Sequence, residues 1–173
     1  DFCLSRGLGD VYKRQDEECY DLWSCNNLYW YLTHACSPVT DGLMPYREAD
    51  LLRNILDRAD AALKEGKNQA TLRFGHESCL LPLVALLELN HYGESYPDVE
   101  KLSEQWRAYD IFPMASNVQF VFFHKKGSND VLVKVLLNEK ETKLPVKTDV
   151  APYYHWKDVE SYYREKLDKY QHI

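Results

Sequence analysis

No stretch of this sequence stays apolar for anything near the roughly 20 residues a membrane-spanning helix needs, so no span is present within it. Mean hydropathy is -0.51, which agrees. There is no basic tract: 21 Lys and Arg are outnumbered by 27 Asp and Glu, for a net charge of -6, which argues against nucleic acid as a partner. The five cysteines form no Cys-x-x-Cys and no His/Cys spacing of a zinc site, so no metal or other cofactor is called for. Repeats and Pro/Gly/Ser linkers are missing as well. A chain of 173 residues, 45% hydrophobic and 13% aromatic, is therefore read as one unit with one core. The acidic balance does not exclude phosphate substrates, because the local field in a cleft and not the net charge decides binding there.

What is present is an adjacent base and acid between a strand-like run and a helix-like one. Thr71, Leu72 and Phe74 suit a strand, Gly75 offers no side chain to block a ligand, and Leu80 to Leu89 is apolar enough for a buried helix. His76 and Glu77 are then expected at the carboxyl end of a strand, beside a helix amino terminus that favours anions. A histidine there can donate to phosphoryl oxygens, and a carboxylic acid beside it can protonate a departing alkoxide, an effect of roughly 10²–10⁴-fold for a positioned general acid. The same pair also reads as a solvated turn.

Phe74-Gly75-His76, an acid, and then Leu80-Leu81-Pro82-Leu83 resemble the second catalytic block of the histidine acid phosphatases, the family that includes phytases and multiple inositol polyphosphate phosphatases. Ser37-Pro38-Val39-Thr40-Asp41-Gly42-Leu43-Met44-Pro45-Tyr46 and Leu51-Leu52-Arg53-Asn54-Ile55 resemble its bacterial members, and the likeness runs from about Asp16 to the end. The resemblance implies an α/β fold, namely the carboxyl-terminal part of a three-layer histidine-phosphatase domain over residues 16–173, with antiparallel edge strands and a final helix. It also implies a small phosphate ester, such as an inositol polyphosphate, as substrate, and a periplasmic or secreted setting. His76 takes the place of the phosphate-binding histidine and Glu77 that of the proton-donating aspartate. In the inositol polyphosphate branch the pattern is commonly His-Ala-Glu, and in that frame Ser78 falls on the glutamate. Glu77 is preferred as the acid because a serine hydroxyl cannot usefully protonate a leaving group.

In that family a histidine within Arg-His-Gly-x-Arg-x-Pro attacks phosphorus and becomes phosphohistidine. None of the six histidines here has this context. The resemblance thus implies that the chain is the carboxyl-terminal part of a longer enzyme, carries the proton-donor half of the site, lacks its own amino-terminal half as partner, and is inactive alone. A non-catalytic, anion-binding module of the same fold is the other reading. Gly7-Leu8-Gly9-Asp10-Val11-Tyr12-Lys13-Arg14-Gln15 resembles translated sequencing-adapter read-through, so Asp1 to Gln15 is set aside from the fold as a non-native segment; a native amino-terminal arm is the alternative.

Periodicity predicts helices over Asp21 to Ala35, Tyr46 to Lys64, Leu80 to Leu89, Val99 to Trp106 and His155 to Tyr170. Strands are predicted at Gln69 to Phe74, at Val118 to His124 and Val131 to Leu137 as a hairpin, and at Thr142 to Val146. Arg73 either faces the phosphate from the strand end or makes a surface ion pair. Cys79 reads as a small apolar filler rather than a thiol nucleophile. Cys19, Cys25 and Cys36 are free thiols or disulfide partners. His124, Lys125 and Lys126 form a solvated loop, and Tyr153, Tyr154 and Trp156 either line a substrate mouth or pack the last helix.

If Asp1 to Gln15 is foreign, its deletion is expected to leave the unfolding free energy within about 0.5 kcal/mol, as for surface changes remote from specific features. Thermal melts of the full and shortened chains check this, and a loss of many degrees in Tm on deletion would count against it.

Overall fold

A computed structural model describes the backbone of residues 2–67 and 69–170 and the side chains of residues 15–67 and 69–170. Most of the leading segment set aside from the sequence therefore lies outside the described side chains. In chain order the elements are α1 (Phe2–His34), α2 (Ala49–Glu65), α3 (Glu77–Leu86), α4 (Leu102–Gln105), α5 (Ala108–Ile111), β1 (Val118–His124), β2 (Val131–Leu137), β3 (Lys140–Glu141), β4 (Tyr154–His155) and α6 (Trp156–Tyr170). Three short 3₁₀ turns intervene, one of them Met44–Glu48, with Pro45 near its start, leading straight into α2. Gly66 closes α2 with a φ of +64°, a left-handed turn that glycine adopts without the cost a Cβ imposes.

The strands form one antiparallel sheet. β2 is central, pairing along its whole length with β1 on one side and with the short β3 and β4 on the other. The core joins Val133, Val135 and Leu137 of β2 to Val159, Tyr163 and Leu167 of α6, spaced at helical intervals, and to Leu52 and Leu56 of α2. α3 runs through the middle of this, with every residue from Leu81 to Leu87 buried. An ion-pair cluster binds α6 to α2: Arg164 lies 3.0 Å from both Asp57 and Asp60 and 2.6 Å from Glu160, while the Trp156 indole donates to Asp60 at 2.8 Å. Trp156 also meets Phe122 edge-on at 4.9 Å between centroids, and the Tyr154 hydroxyl accepts from the Leu144 amide at 3.1 Å. Tyr154 and Trp156 are thus packing residues, and Tyr153 meets Phe123 edge-on at 5.1 Å.

The hairpin strands fall where alternation and β-branching place them. Two other strands do not. Gln69 to Phe74 is not a strand: no ladder forms along it, because no other strand among the described residues runs beside it. Thr142 to Val146 does not continue β3 beyond Thr142, whose amide still bonds to Val135 at 3.1 Å; the next amides are taken by side chains, Lys143 by Asn90 at 3.0 Å and Leu144 by Tyr154. The place beside the start of β2 goes instead to Tyr154–His155, so α6 begins at Trp156. Helix Leu80 to Leu89 begins earlier and ends earlier, since Glu88 and Asn90 turn left-handed with φ of +53° and +54°.

Glu88 makes Gly93 irreplaceable. A Cβ on Gly93 would sit 2.8 Å from the Glu88 Cα and 2.6 Å from its Cγ, and the first of these is backbone that cannot step aside. Gly93→Ala is expected to destabilise the fold by about 1–3 kcal/mol, as overpacking does. Denaturant unfolding measures this directly, and Gly75→Ala, where a Cβ meets nothing within 4 Å, is the control for a harmless added methyl.

Candidate functional site

α3 starts in the open and ends in the core. His76 precedes its first turn in extended conformation (φ −105°, ψ 165°), and the His76 carbonyl accepts from the amides of Cys79 and Leu80 at 3.0 and 3.1 Å. No side-chain oxygen caps the helix at His76, so the positive end of the backbone dipole points at solvent. Glu77 stands in the first turn, where a negative charge is stabilised by about 0.3–1 kcal/mol at an exposed site. Both side chains are exposed, while Ser78 and Cys79 are half-buried. His76 and Glu77, predicted to act together, are therefore consecutive residues at an uncapped, exposed helix start.

The run before them carries no regular secondary structure and is uncovered. Leu72 is 76% exposed and Phe74 93%, far from the burial such side chains favour. Arg73 donates from Nη2 to Asn54 on α2 at 2.8 Å, which ties this run to the helix beside it. That bond occupies the guanidinium at the protein surface and does not bring it to His76 or Glu77. His124 is engaged within its own turn, 2.8 Å from the Ser128 carbonyl oxygen.

Two buried or half-buried titratable groups that the sequence did not single out stand out in the structure, one of them beside the start of α3. Glu48, at the end of the 3₁₀ turn packed against α3, has its carboxyl pushed up by burial, with Arg47 and a hydrogen bond from the Cys79 thiol pulling the other way. His34, at the end of α1, is buried against Trp30 with ring centroids 4.7 Å apart; burial, and then the Arg47 charge, hold its pKa below the ordinary histidine value. No spacing rule marks either residue, since burial in the packed fold sets both. The thiols of Cys19, Cys25, Cys36 and Cys79 are free, and burial pushes that of Cys36 up. Among the described residues no group of three or more His, Cys, Asp or Glu is arranged to hold a metal ion.

The sequence pattern of the histidine phosphatase superfamily, branch 2, matches residues 43–138, more than half of the chain and inclusive of the 3₁₀ turn, α3 and the hairpin. The chain is similar to multiple inositol polyphosphate phosphatase 1 of Homo sapiens, 28% identical over 134 residues, and to that of Gallus gallus, 27% identical over 135 residues. These alignments take in 70% and 68% of this chain but only 27% and 28% of those proteins, so the chain spans about a quarter of their length. Two structures of the Bifidobacterium longum multiple inositol polyphosphate phosphatase share its fold. The complex with inositol hexasulfate superposes with a TM-score of 0.59 at 26% identity, over 68% of this chain and 25% of that one. The apo form superposes with a TM-score of 0.68 at 24% identity, over 80% of this chain and 30% of that one. The expected α/β architecture with antiparallel strands and a closing helix is therefore the histidine phosphatase fold, and the chain belongs to the histidine phosphatase superfamily, branch 2.

Proposed function

We propose that this chain supplies the proton-donor half of a phosphomonoesterase site acting on inositol polyphosphates or similar phosphate esters. The observation that carries the proposal is the uncapped, exposed start of α3 with His76 and Glu77 side by side, in a chain of this family. The names of the relatives support the substrate class. His76 donates to a phosphoryl oxygen of the substrate. Glu77, in its acid form, gives its proton to the departing alkoxide oxygen, and its carboxylate then takes a proton from the water that releases phosphate. Arg73 exchanges its single bond to Asn54 for a phosphoryl oxygen, to which a guanidinium can bind in bidentate fashion.

The nucleophile is the phosphohistidine-forming residue of an Arg-His-Gly-x-Arg-x-Pro segment on the rest of the enzyme. That segment packs against the open run of residues 69–74, covers Leu72 and Phe74, and completes a strand pairing that these residues leave unmet. Family membership supports a periplasmic or secreted setting for the whole enzyme, and no described helix is long and apolar enough to cross a membrane.

The purified chain alone is expected to release no phosphate above background from an aryl phosphate or inositol hexakisphosphate; turnover abolished by His76→Ala would overturn this. Joined to a branch 2 segment that carries the nucleophile, Glu77→Gln should slow an alkyl phosphate by roughly 10²-fold or more, and an aryl phosphate, whose phenolate leaves unaided, far less. His76→Ala should slow both, because it acts on the transferring group common to the two substrates. Equal losses for the two substrates in Glu77→Gln would leave only an anion-binding role. Because both side chains are exposed, each variant should unfold within about 1 kcal/mol of the parent, so that any loss of rate reports chemistry and not folding.

A further inference from the structure

His155 lies far along the chain from His76, at the junction of β4 and α6, and both of its ring nitrogens face carboxylates. Nδ1 is 3.0 and 3.1 Å from the two carboxylate oxygens of Asp130, at the entry to β2, and Nε2 is 3.0 Å from Asp149. A neutral imidazole carries one N–H and one lone pair, so it can donate to only one of these carboxylates and must turn its lone pair on the other. Two donations to two carboxylates require the doubly protonated ring. Two carboxylates on two ring nitrogens are therefore the surroundings that favour the imidazolium.

The two carboxylates belong to different pieces of chain. Asp130 closes the β1–β2 hairpin, where its amide also bonds to the Ser128 hydroxyl at 3.0 Å. Asp149 sits on the connection from β3 to β4, and its side chain is 84% exposed. Past Lys143 and Leu144, which Asn90 and Tyr154 hold, that connection carries bonds within itself, Thr148 hydroxyl to Tyr153 carbonyl at 2.7 Å and Tyr153 amide to Val150 carbonyl at 3.0 Å, and Tyr153 rests against Phe123. We infer that His155 is a pH-released latch, tying the connection between β3 and β4 to the hairpin tip as the imidazolium and letting Asp149 go when it loses a proton. Asp130 is kept because two of its oxygens face one nitrogen, whereas Asp149 offers one oxygen and is the more exposed.

The charge environment agrees. Hydrogen bonds to Asp130 and then Asp149 raise the His155 pKa above its ordinary value, and the bond to His155 lowers that of Asp149. The elements around the ring carry further charges: Lys134 on β2, engaged by Glu141 at 3.0 Å, His124, Lys125 and Lys126 in the hairpin turn, Lys147 on the connection, and Lys157 and Asp158 in α6. Among the described residues, Asp130 and Asp149 alone are hydrogen-bonded to the ring. Because the folded pKa is raised above the unfolded value of about 6.5, the latch is fully shut below that pH and opens as pH rises through the folded value.

The test combines ring-nitrogen NMR titration with amide hydrogen exchange, corrected for intrinsic base catalysis, on the parent chain, Asp149→Asn and His155→Gln. In the parent, the ring should titrate above about 6.5, and protection of the Val150 and Tyr153 amides should fall by about threefold or more across that titration. Asp149→Asn, at an exposed position that leaves the fold intact, should lower the ring pKa and erase the step in protection; His155→Gln should erase it too. A parent ring that titrates at or below about 6.5, or a step in protection that persists in Asp149→Asn, would overturn the latch.

Discussion

Everything in this structure hangs on how the buried end of α3 satisfies its carbonyl groups. The last turn of a helix leaves carbonyls without intrahelical donors, and in a dry core each one must find a partner or cost stability. α3 ends among fully buried leucines, and α6 supplies the donors: the Tyr163 hydroxyl to the Leu87 carbonyl at 2.7 Å and the Lys166 ammonium to the Leu86 carbonyl at 2.7 Å. Lys166 also pairs with Glu88 at 3.1 Å, and the Tyr162 hydroxyl donates to the same carboxylate. Burial and the Glu88 charge hold the Tyr163 hydroxyl well above the ordinary tyrosine range, so it stays a donor. The final helix is thereby the cap of a central one that precedes it by some 70 residues of chain.

That fastening orients the candidate site. With its carboxyl end anchored and its sides buried, α3 points its amino terminus out of the core, where His76 and Glu77 stand exposed. A rigid helix of ten residues rises about 15 Å, which separates the anchored end from the open one. Two clefts, of about 310 and 220 Å³, both border Glu88 at the anchored end, and neither is lined by His76 or Glu77.

Much of this was legible from local pattern. The hairpin Val118–His124 with Val131–Leu137 announced itself through β-branched and aromatic alternation, α2 through an apolar face repeating at helical intervals, and α6 through its amphipathic spacing. The run of residues 69–74 has the composition of a strand, yet a strand is completed only by a neighbour, which composition cannot provide. Thr142 to Val146 misled for the opposite reason: Asn90 and Tyr154, distant in sequence, captured amides that a ladder would have used.

The sequence by itself determined the family motif, the adjacency of His76 and Glu77, and the segments that become the main helices and the hairpin, because adjacency and periodicity are properties of a linear chain. Only tertiary structure decided that α3 stands with its amino end exposed, that Glu48 comes to lie beside it, that Arg73 rests on Asn54, and that His155 is gripped by two aspartates, one 25 residues before it and the other six. Each of these depends on which distant groups meet across the core, and hydrogen bonds and burial make that selection only once the helices have packed.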